Sequence, residues 1–330
     1  MVRFDHIETT GQIRLKGLST YVGIDDRASF SIKFEGDNRL ASMKKIVLNS
    51  TLHDSTLVRA PVAYALAAKI GLAAPRAAYA RVTLNGELMG LYNVIEPINK
   101  QFLAAHFGEE QAWGNLYEAS DFSLLAPGGP GSKPPDLKDE DEGRCRGDLE
   151  ELQNALGSAT SEQFVDALDA RVDVDQLLRL VALENVIVRT DGFSDARNNF
   201  YLYRPPTPQS RWVMLPWGMD TLLASADRDP WELRGSDSGP DLASPLVHRM
   251  AQASELVARY RPVVDEAAEA FEASVVESEL ERVSSFFESE VVERPLSARL
   301  QAEARDFAEQ APLLRQIVRS RAAYLQAGRP

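Results

Sequence analysis

The stretch "ARVTLNGELMGLYNVIEP" places Asn85-Gly86 between two apolar runs, and this constrains the fold more than any other feature of the chain. Asn-Gly supplies two consecutive residues that tolerate positive φ, as a type I′ turn requires. The twist of that turn matches the twist of the strands it joins. A hairpin closed in this way has its register fixed, because a slip of one residue would carry every core side chain to the opposite face. The preceding residues follow the same logic. Residues 11–35 read as strands, and in "SFSIKFE" Phe30, Ile32 and Phe34 alternate with Ser31 and Lys33. "KKIVLNS" adds a short strand. "STLVRAPVAYALAAKIG" reads as an Ala-rich helix, with Asp54 or Ser55 as its N-cap and Gly71 as its stop. Residues 1–127 therefore form a β-rich lobe with one helix and a hairpin, an α+β arrangement.

Residues 128–148, "GGPGSKPPDLKDEDEGRCRGD", read as an acidic Gly/Pro-rich loop insertion. From 149 to 330 the pattern is mainly helical, with a strand pair near 199–216. The segment from Ser244 to Ala327 is a set of acidic amphipathic helices whose charge runs read as solvated faces. The net charge of −13 over 330 residues argues against nonspecific binding to nucleic acid or to an anionic membrane, both of which would be repelled. No run approaches the roughly 18 apolar residues of a membrane helix, and the first residues lack the apolar core of a signal peptide. With Cys145 as the one cysteine, no internal disulfide and no thiolate metal cluster can form. The expectation is a monomer without membrane insertion and without a nucleic-acid partner.

The chemistry concentrates in "TDGFSDARNNFYLYRP", Thr190 to Pro205, between the buried-helix pattern "LLRLVALENVIV" and the strand pattern "FYLYR". The apolar strand "WVMLPWGMD" follows and ends at Asp220. If the two strands pair, Asn198 and Asp220 fall at the same end of the hairpin, and Asp191 at the end of the helix can project into the same space. Hard oxygen ligands of this kind suit magnesium, which shares its coordination with substrate phosphates. Asp and Asn are also the commonest turn and cap residues, so an ordinary loop with Asx turns fits the same composition. A third reading takes Asp191 and Asp195 as paired carboxylates of a carbohydrate-active or structural domain.

Several blocks, in order, resemble the spore-coat protein kinase CotH family: "IRLKGLST", "SFSIKF", "KIVLNSTLHDSTLVR", "GLAAPRAAYARVTLNGELMGLYNVIEPINKQFL", "GNLYEA", "NNFYLY" and "LPWGMD". The resemblance implies an atypical protein-kinase-like fold with a β-rich N-lobe and a helical C-lobe. It also implies ATP with Mg2+ or Mn2+ as cofactors, and phosphoryl transfer to Ser/Thr of a protein substrate. An extracellular or cell-surface location goes with it, and the acidic surface suggests a basic acceptor. Carried onto this chain, Asp191 is the catalytic base or phosphoryl-site aspartate, and Asn198 and Asp220 are metal ligands. Lys33 is the nucleotide lysine, with Lys16 as its competitor and Arg14 behind it. Glu96 either pairs with a lysine or lines the adenine hinge. Arg59 is expected to partner Asp54 or Glu96, Trp217 to pack in the core, and Asp195 to face solvent or cap a helix. The chain departs from the family pattern at Arg27-Ala28, where the family has a lysine pair, at Gly218, where it has an acid, and at Glu118, where it often has a lysine. These departures set the alternative: a weak or inactive pseudokinase acting as a surface binding or scaffold module.

Overall fold

Alternating side chains and one tight turn build the strands, and buried apolar faces order the helices around them. The computed structural model describes all residues except 1, 5–6, 18–20, 126–132, 139–145, 208, 234–242, 294–295 and 329–330. Cys145 and most of the acidic insertion lie outside the described residues. The chain begins with β1 (Val2–Phe4), β2 (Ile7–Thr9), β3 (Gly11–Lys16), β4 (Ser29–Phe34), β5 (Lys45–Asn49) and α1 (Arg59–Lys69). It continues through β6 (Ala77–Leu84), β7 (Glu87–Ile95), α2 (Lys100–Phe107), β8 (Asn115–Ala119), β9 (Asp136–Leu137), α3 (Gly147–Ser158) and α4 (Phe164–Asp169). Then come α5 (Val174–Val186), α6 (Phe193–Ala196), β10 (Phe200–Arg204), β11 (Val213–Pro216), α7 (Pro245–Gln252), α8 (Ser254–Ala270), α9 (Ala273–Glu293) and α10 (Ala298–Ala327).

The elements group into two compact units. The first comprises residues 1–65, 75–102 and 274–315, and the second 66–74, 103–273 and 316–330. This division differs from the expected boundary near 127: residues 103–127 group with the second unit, and 274–315 with the first. The physical cause lies in the first unit's own contacts. Arg81 of β6 forms an ion pair with Glu290 of α9. Arg27 pairs with Glu303 of α10 at 3.1 Å, and Arg299 donates to the carbonyl of Met89 at 3.1 Å.

The sheet of the first unit is antiparallel, in the order β3-β4-β5-β7-β6. Its β6–β7 hairpin closes at Leu84↔Glu87, with Asn85 and Gly86 both at positive φ (53° and 87°), as the sequence requires. Phe30, Ile32, Phe34, Ile46, Leu48, Tyr92 and Val94 are among its buried core residues. Asp54 holds the entry to α1. Buried to 1% exposure, it accepts from the backbone N–H of Thr56 (3.0 Å) and Arg59 (2.9 Å) and pairs with the Arg59 guanidinium. The choice between Asp54 and Glu96 as the partner of Arg59 is thus settled.

In the second unit the sheet order is β11-β10-β8-β9, again antiparallel. β9 lies inside the segment expected to be loop throughout; pairing Tyr117↔Leu137 and Glu118↔Asp136 gives it order. Glu118, one of the departures from the family pattern, forms an ion pair with Lys138. α5 starts on Asp173, whose carboxylate accepts from the Gln176 N–H at 3.1 Å, while the Asp173 N–H donates to the Trp212 carbonyl. Its apolar residues, from Leu177 to Val186, are buried. Asn185 donates to the Tyr260 hydroxyl at 2.8 Å, and that hydroxyl donates to the carbonyl of Pro230.

Arg321, fully buried, donates to the carbonyls of Asn185, Val186, Ala226 and Arg228. Burial lowers its guanidinium to about 10, so it stays charged at neutral pH. Replacing it by methionine keeps much of its length but removes the guanidinium donor from four carbonyls, of which Asn185 keeps the Val188 N–H. Each buried unsatisfied group costs about 1–3 kcal/mol, so Arg321→Met is expected to lower stability by at least about 3 kcal/mol. Urea unfolding followed by tryptophan fluorescence reads this out, because Trp231 lies against Tyr324 at a centroid distance of 6.1 Å. An unchanged midpoint would contradict the assignment.

Candidate functional site

The site begins where α5 ends. Val188 adopts φ 49°, a left-handed conformation costly for a β-branched residue, and turns the chain into the polar segment. Arg197, Asn199 and Leu223 are also left-handed (φ 55°, 52° and 55°), so strained backbone gathers here. Glu184, in the last turn of α5, is 2% exposed. Its carboxylate accepts from the N–H of Phe193 (3.0 Å) and Ser194 (2.8 Å), the start of α6. Burial pushes the Glu184 carboxyl above its ordinary range, and the neighbouring Arg189 and these amides act against that shift. Gly192 makes the approach feasible: a Cβ there would sit 2.2 Å from the Glu184 carboxylate.

Asp191 is clamped by two side-chain amides. Asn198 donates from Nδ2 to Oδ1 at 2.9 Å, and Asn199 from Nδ2 to Oδ2 at 2.7 Å. Asn199 also donates to the Asp191 carbonyl at 3.0 Å. Each carboxylate oxygen keeps a second lone pair for another donor. The Asn198 amide oxygen is buried and has no hydrogen-bond partner among the described residues. The pairing Phe200↔Pro216 brings Asn199 beside Trp217, whose N–H donates to the Asn199 carbonyl at 3.2 Å. Trp217 packs edge-on against Tyr201 at 5.6 Å, in the core as expected. The turn that follows carries Gly218 and Asp220, and the Asp220 N–H donates to the Gly218 carbonyl at 3.0 Å. The Thr190 N–H donates to the Thr221 carbonyl at 3.3 Å, tying the two turns together.

Asp195 is not the solvent-facing or helix-capping residue expected. It is 5% exposed and forms a bidentate pair with Arg228, both contacts at 2.7 Å. Its carboxylate is therefore committed, which removes Asp191 and Asp195 as a pair of free carboxylates. Sequence reasoning missed Glu184, Arg189, Asn199 and Arg228 as builders of the site. A usable signal existed for the first, since a lone acid inside the apolar run "LLRLVALENVIV" must find partners once buried.

The nucleotide candidates all belong to the first unit. Lys33 is exposed on β4, on the face away from Phe30, Ile32 and Phe34, with Gln12 and Lys45 as its cross-strand neighbours. Lys16 is half-buried at the end of β3, opposite Ser29, whose hydroxyl lies 2.9 Å from that of Ser50. Glu96 is buried and held by Arg76 in a bidentate pair of 2.9 and 2.8 Å rather than by a lysine. Arg27 is buried against Tyr92, at 5.1 Å from the ring centroid.

Among the described residues, no three His, Cys, Asp or Glu side chains cluster closely enough to hold a metal ion by themselves. Magnesium does not need such a cluster, since one or two carboxylates plus substrate oxygens suffice. The partnerless oxygen of Asn198 beside the Asp191 carboxylate fits that requirement, and Asp220 lies on the adjoining turn.

The chain belongs to the CotH kinase protein family, whose profile matches residues 13–325. It is 26% identical over 202 residues to the inner spore coat protein H of Bacillus subtilis (strain 168); the match covers 59% of this chain and 54% of that one. The chain thus spans about half the length of that curated relative. Among solved structures, the HipA–HipB toxin–antitoxin complex of Shewanella oneidensis MR-1 with its operator DNA aligns at a TM-score of 0.36 and 11% identity. That alignment covers 87% of this chain and 61% of the other. No helix among the described residues is long and apolar enough to cross a membrane.

Two outcomes test this geometry. Asp195→Asn leaves Arg228 buried without its counter-charge and is expected to cost about 3–5 kcal/mol in chemical denaturation. A surface aspartate would show almost no change. Gly218 sits at φ 58°, and a Cβ there would lie 2.9 Å from the Asn199 amide. Gly218→Ala is therefore expected to cost about 1–3 kcal/mol, and less when Asn199 is also alanine. A double-mutant cycle measures the coupling, and strict additivity would separate the two residues.

Proposed function

We propose that this protein transfers the γ-phosphoryl group of ATP, with Mg2+ or Mn2+, to a Ser or Thr hydroxyl of a protein substrate. The observation that carries the proposal is the buried, partnerless Asn198 oxygen beside a carboxylate fixed by two amides. In this reading Asp191 orients the acceptor hydroxyl and takes its proton as the new O–P bond forms and the bond to the ADP oxygen breaks. The amides of Asn198 and Asn199 hold the carboxylate in one orientation, so no reorganisation is needed when the proton moves. Asn198 and Asp220 would hold the metal, which neutralises phosphate charge when bound. Lys33, Lys16 and Glu96 are the residues proposed for the nucleotide. Glu96 enters through its backbone, since its carboxylate is engaged by Arg76.

The substrate follows from two considerations. A net charge of −13 favours a basic acceptor. The Bacillus relative is named as an inner spore coat protein, which supports a coat or surface location for this protein and an acceptor found there.

Thermal shift and label transfer test the reading together. Saturation at 100 times the dissociation constant stabilises by about 2.7 kcal/mol, so the wild type is expected to show a clear shift with ATP and Mn2+. Asp191→Ala should keep the shift and lose transfer by about 10²–10⁴-fold. Asp220→Ala should lose both. Equal transfer by wild type and Asp220→Ala removes Asp220 from the mechanism. A wild type that neither shifts with ATP and either metal nor labels a generic protein substrate is a binding or scaffold module, not a kinase.

A further inference from the structure

Arg189 is 1% exposed and sits between the two turns of the candidate site. From Nη2 it donates to the carbonyls of Asp191 (3.0 Å), Trp217 (2.9 Å) and Gly218 (3.0 Å). Its Nη1 meets the sulfur of Met219. Its own main chain is held as well, by the Arg189 N–H on the Glu184 carbonyl at 2.9 Å and by Arg228 on the Arg189 carbonyl at 3.1 Å. Glu184 lies 3.9 Å from Nε and supplies the nearby negative charge. One guanidinium thus carries the backbone of Asp191 on one side and that of Trp217 and Gly218, just before Asp220, on the other.

We infer that Arg189 is the positioning residue that sets the spacing between Asp220 and the turn running from Asp191 to Asn198, the two segments that carry the proposed metal ligands, and, through it, the affinity of the site for a divalent cation. The inference rests on the reading of this site as metal-dependent. The physical argument is one of shape. A planar guanidinium with five fixed donors can engage several carbonyl groups from different segments at once. A lysine ammonium is a compact point charge on a flexible stem and cannot hold the same set in place. Residues behind the ligands of a metal typically control its affinity by about 10–100-fold.

The test is Mn2+ binding to the full chain, followed by the loss of the free-Mn2+ electron paramagnetic resonance signal, with no nucleotide and no turnover. Arg189→Lys is expected to bind Mn2+ at least about tenfold more weakly than wild type. Arg249→Met is the control. It removes a guanidinium of the same unit that donates to the carbonyls of Leu156 and Thr160, and it should keep wild-type Mn2+ affinity. Should Arg189→Lys fail to fold, Glu184→Gln removes the charge beside Arg189 while keeping side-chain size, and several-fold weaker binding is expected. Wild-type affinity in Arg189→Lys, or in Glu184→Gln where that variant stands in, overturns the positioning role and leaves the metal site intact. Equal weakening in Arg249→Met overturns it too, since loss of stability alone would then explain the effect. A wild type that takes up no Mn2+ overturns the metal site and the inference together.

Discussion

A buried guanidinium bonded to main-chain carbonyls is the interaction on which the second unit turns. An arginine taken out of water costs free energy unless its donors are met and its charge is balanced. Arg189, Arg228 and Arg321 each place their terminal nitrogens on main-chain carbonyls, and Arg189 and Arg228 also lie beside the carboxylates of Glu184 and Asp195. Arg228 spends a bidentate pair on Asp195 and a further donor on the Arg189 carbonyl. Arg321 reaches the end of α5 and the carbonyls of Ala226 and Arg228. The three share partners, so the irregular backbone around the site is held by a connected set of charged hydrogen bonds. Such bonds are stronger than neutral ones, and they offset the left-handed residues Val188, Arg197 and Asn199.

The first unit solves a different problem. Its β6–β7 hairpin is set by one tight turn, and β5 and β7 run through the core as nearly continuous buried stretches. What the polar contacts do there is attach helices to strands. Asp54 fixes the start of α1, Glu290 receives Arg81, and Glu303 receives Arg27. Burial lowers the Arg27 guanidinium and raises the Glu303 carboxyl from their ordinary values. Their pairing is thus the condition on which either charge is tolerated there.

Much of this was legible in the sequence, and the reasons differ by element. Asn85-Gly86 announced its hairpin because few other dipeptides tolerate that turn. The alternation in "SFSIKFE" announced β4 because a strand side chain faces either core or solvent. Asp191 and Asn198 were singled out from their places at the ends of apolar runs, and the two side chains lie 2.9 Å apart; Trp217, singled out as a packing residue, is buried. Asp195 was misread because its partner, Arg228, lies 33 residues away in a stretch with no periodicity. The grouping of α9 with the β-rich unit was hidden for the same reason. Local pattern sets which face of a helix is apolar, but not which sheet that face meets. The partner of Glu96 was hidden because Arg76 lies 20 residues earlier in the chain, on the far side of the β6–β7 hairpin.

Gly218 acquires a different meaning from the one its sequence position suggests. The missing side chain leaves room that the Asn199 carboxamide occupies, and that carboxamide in turn grips Asp191. An acid at 218 and this pose of Asn199 are mutually exclusive in the present backbone. The two positions therefore compete for one space, and a side chain at 218 must reseat Asn199. Family members with an acid here are expected to build the floor of the site differently, so the glycine marks an alternative solution to seating the aspartate rather than a simple loss.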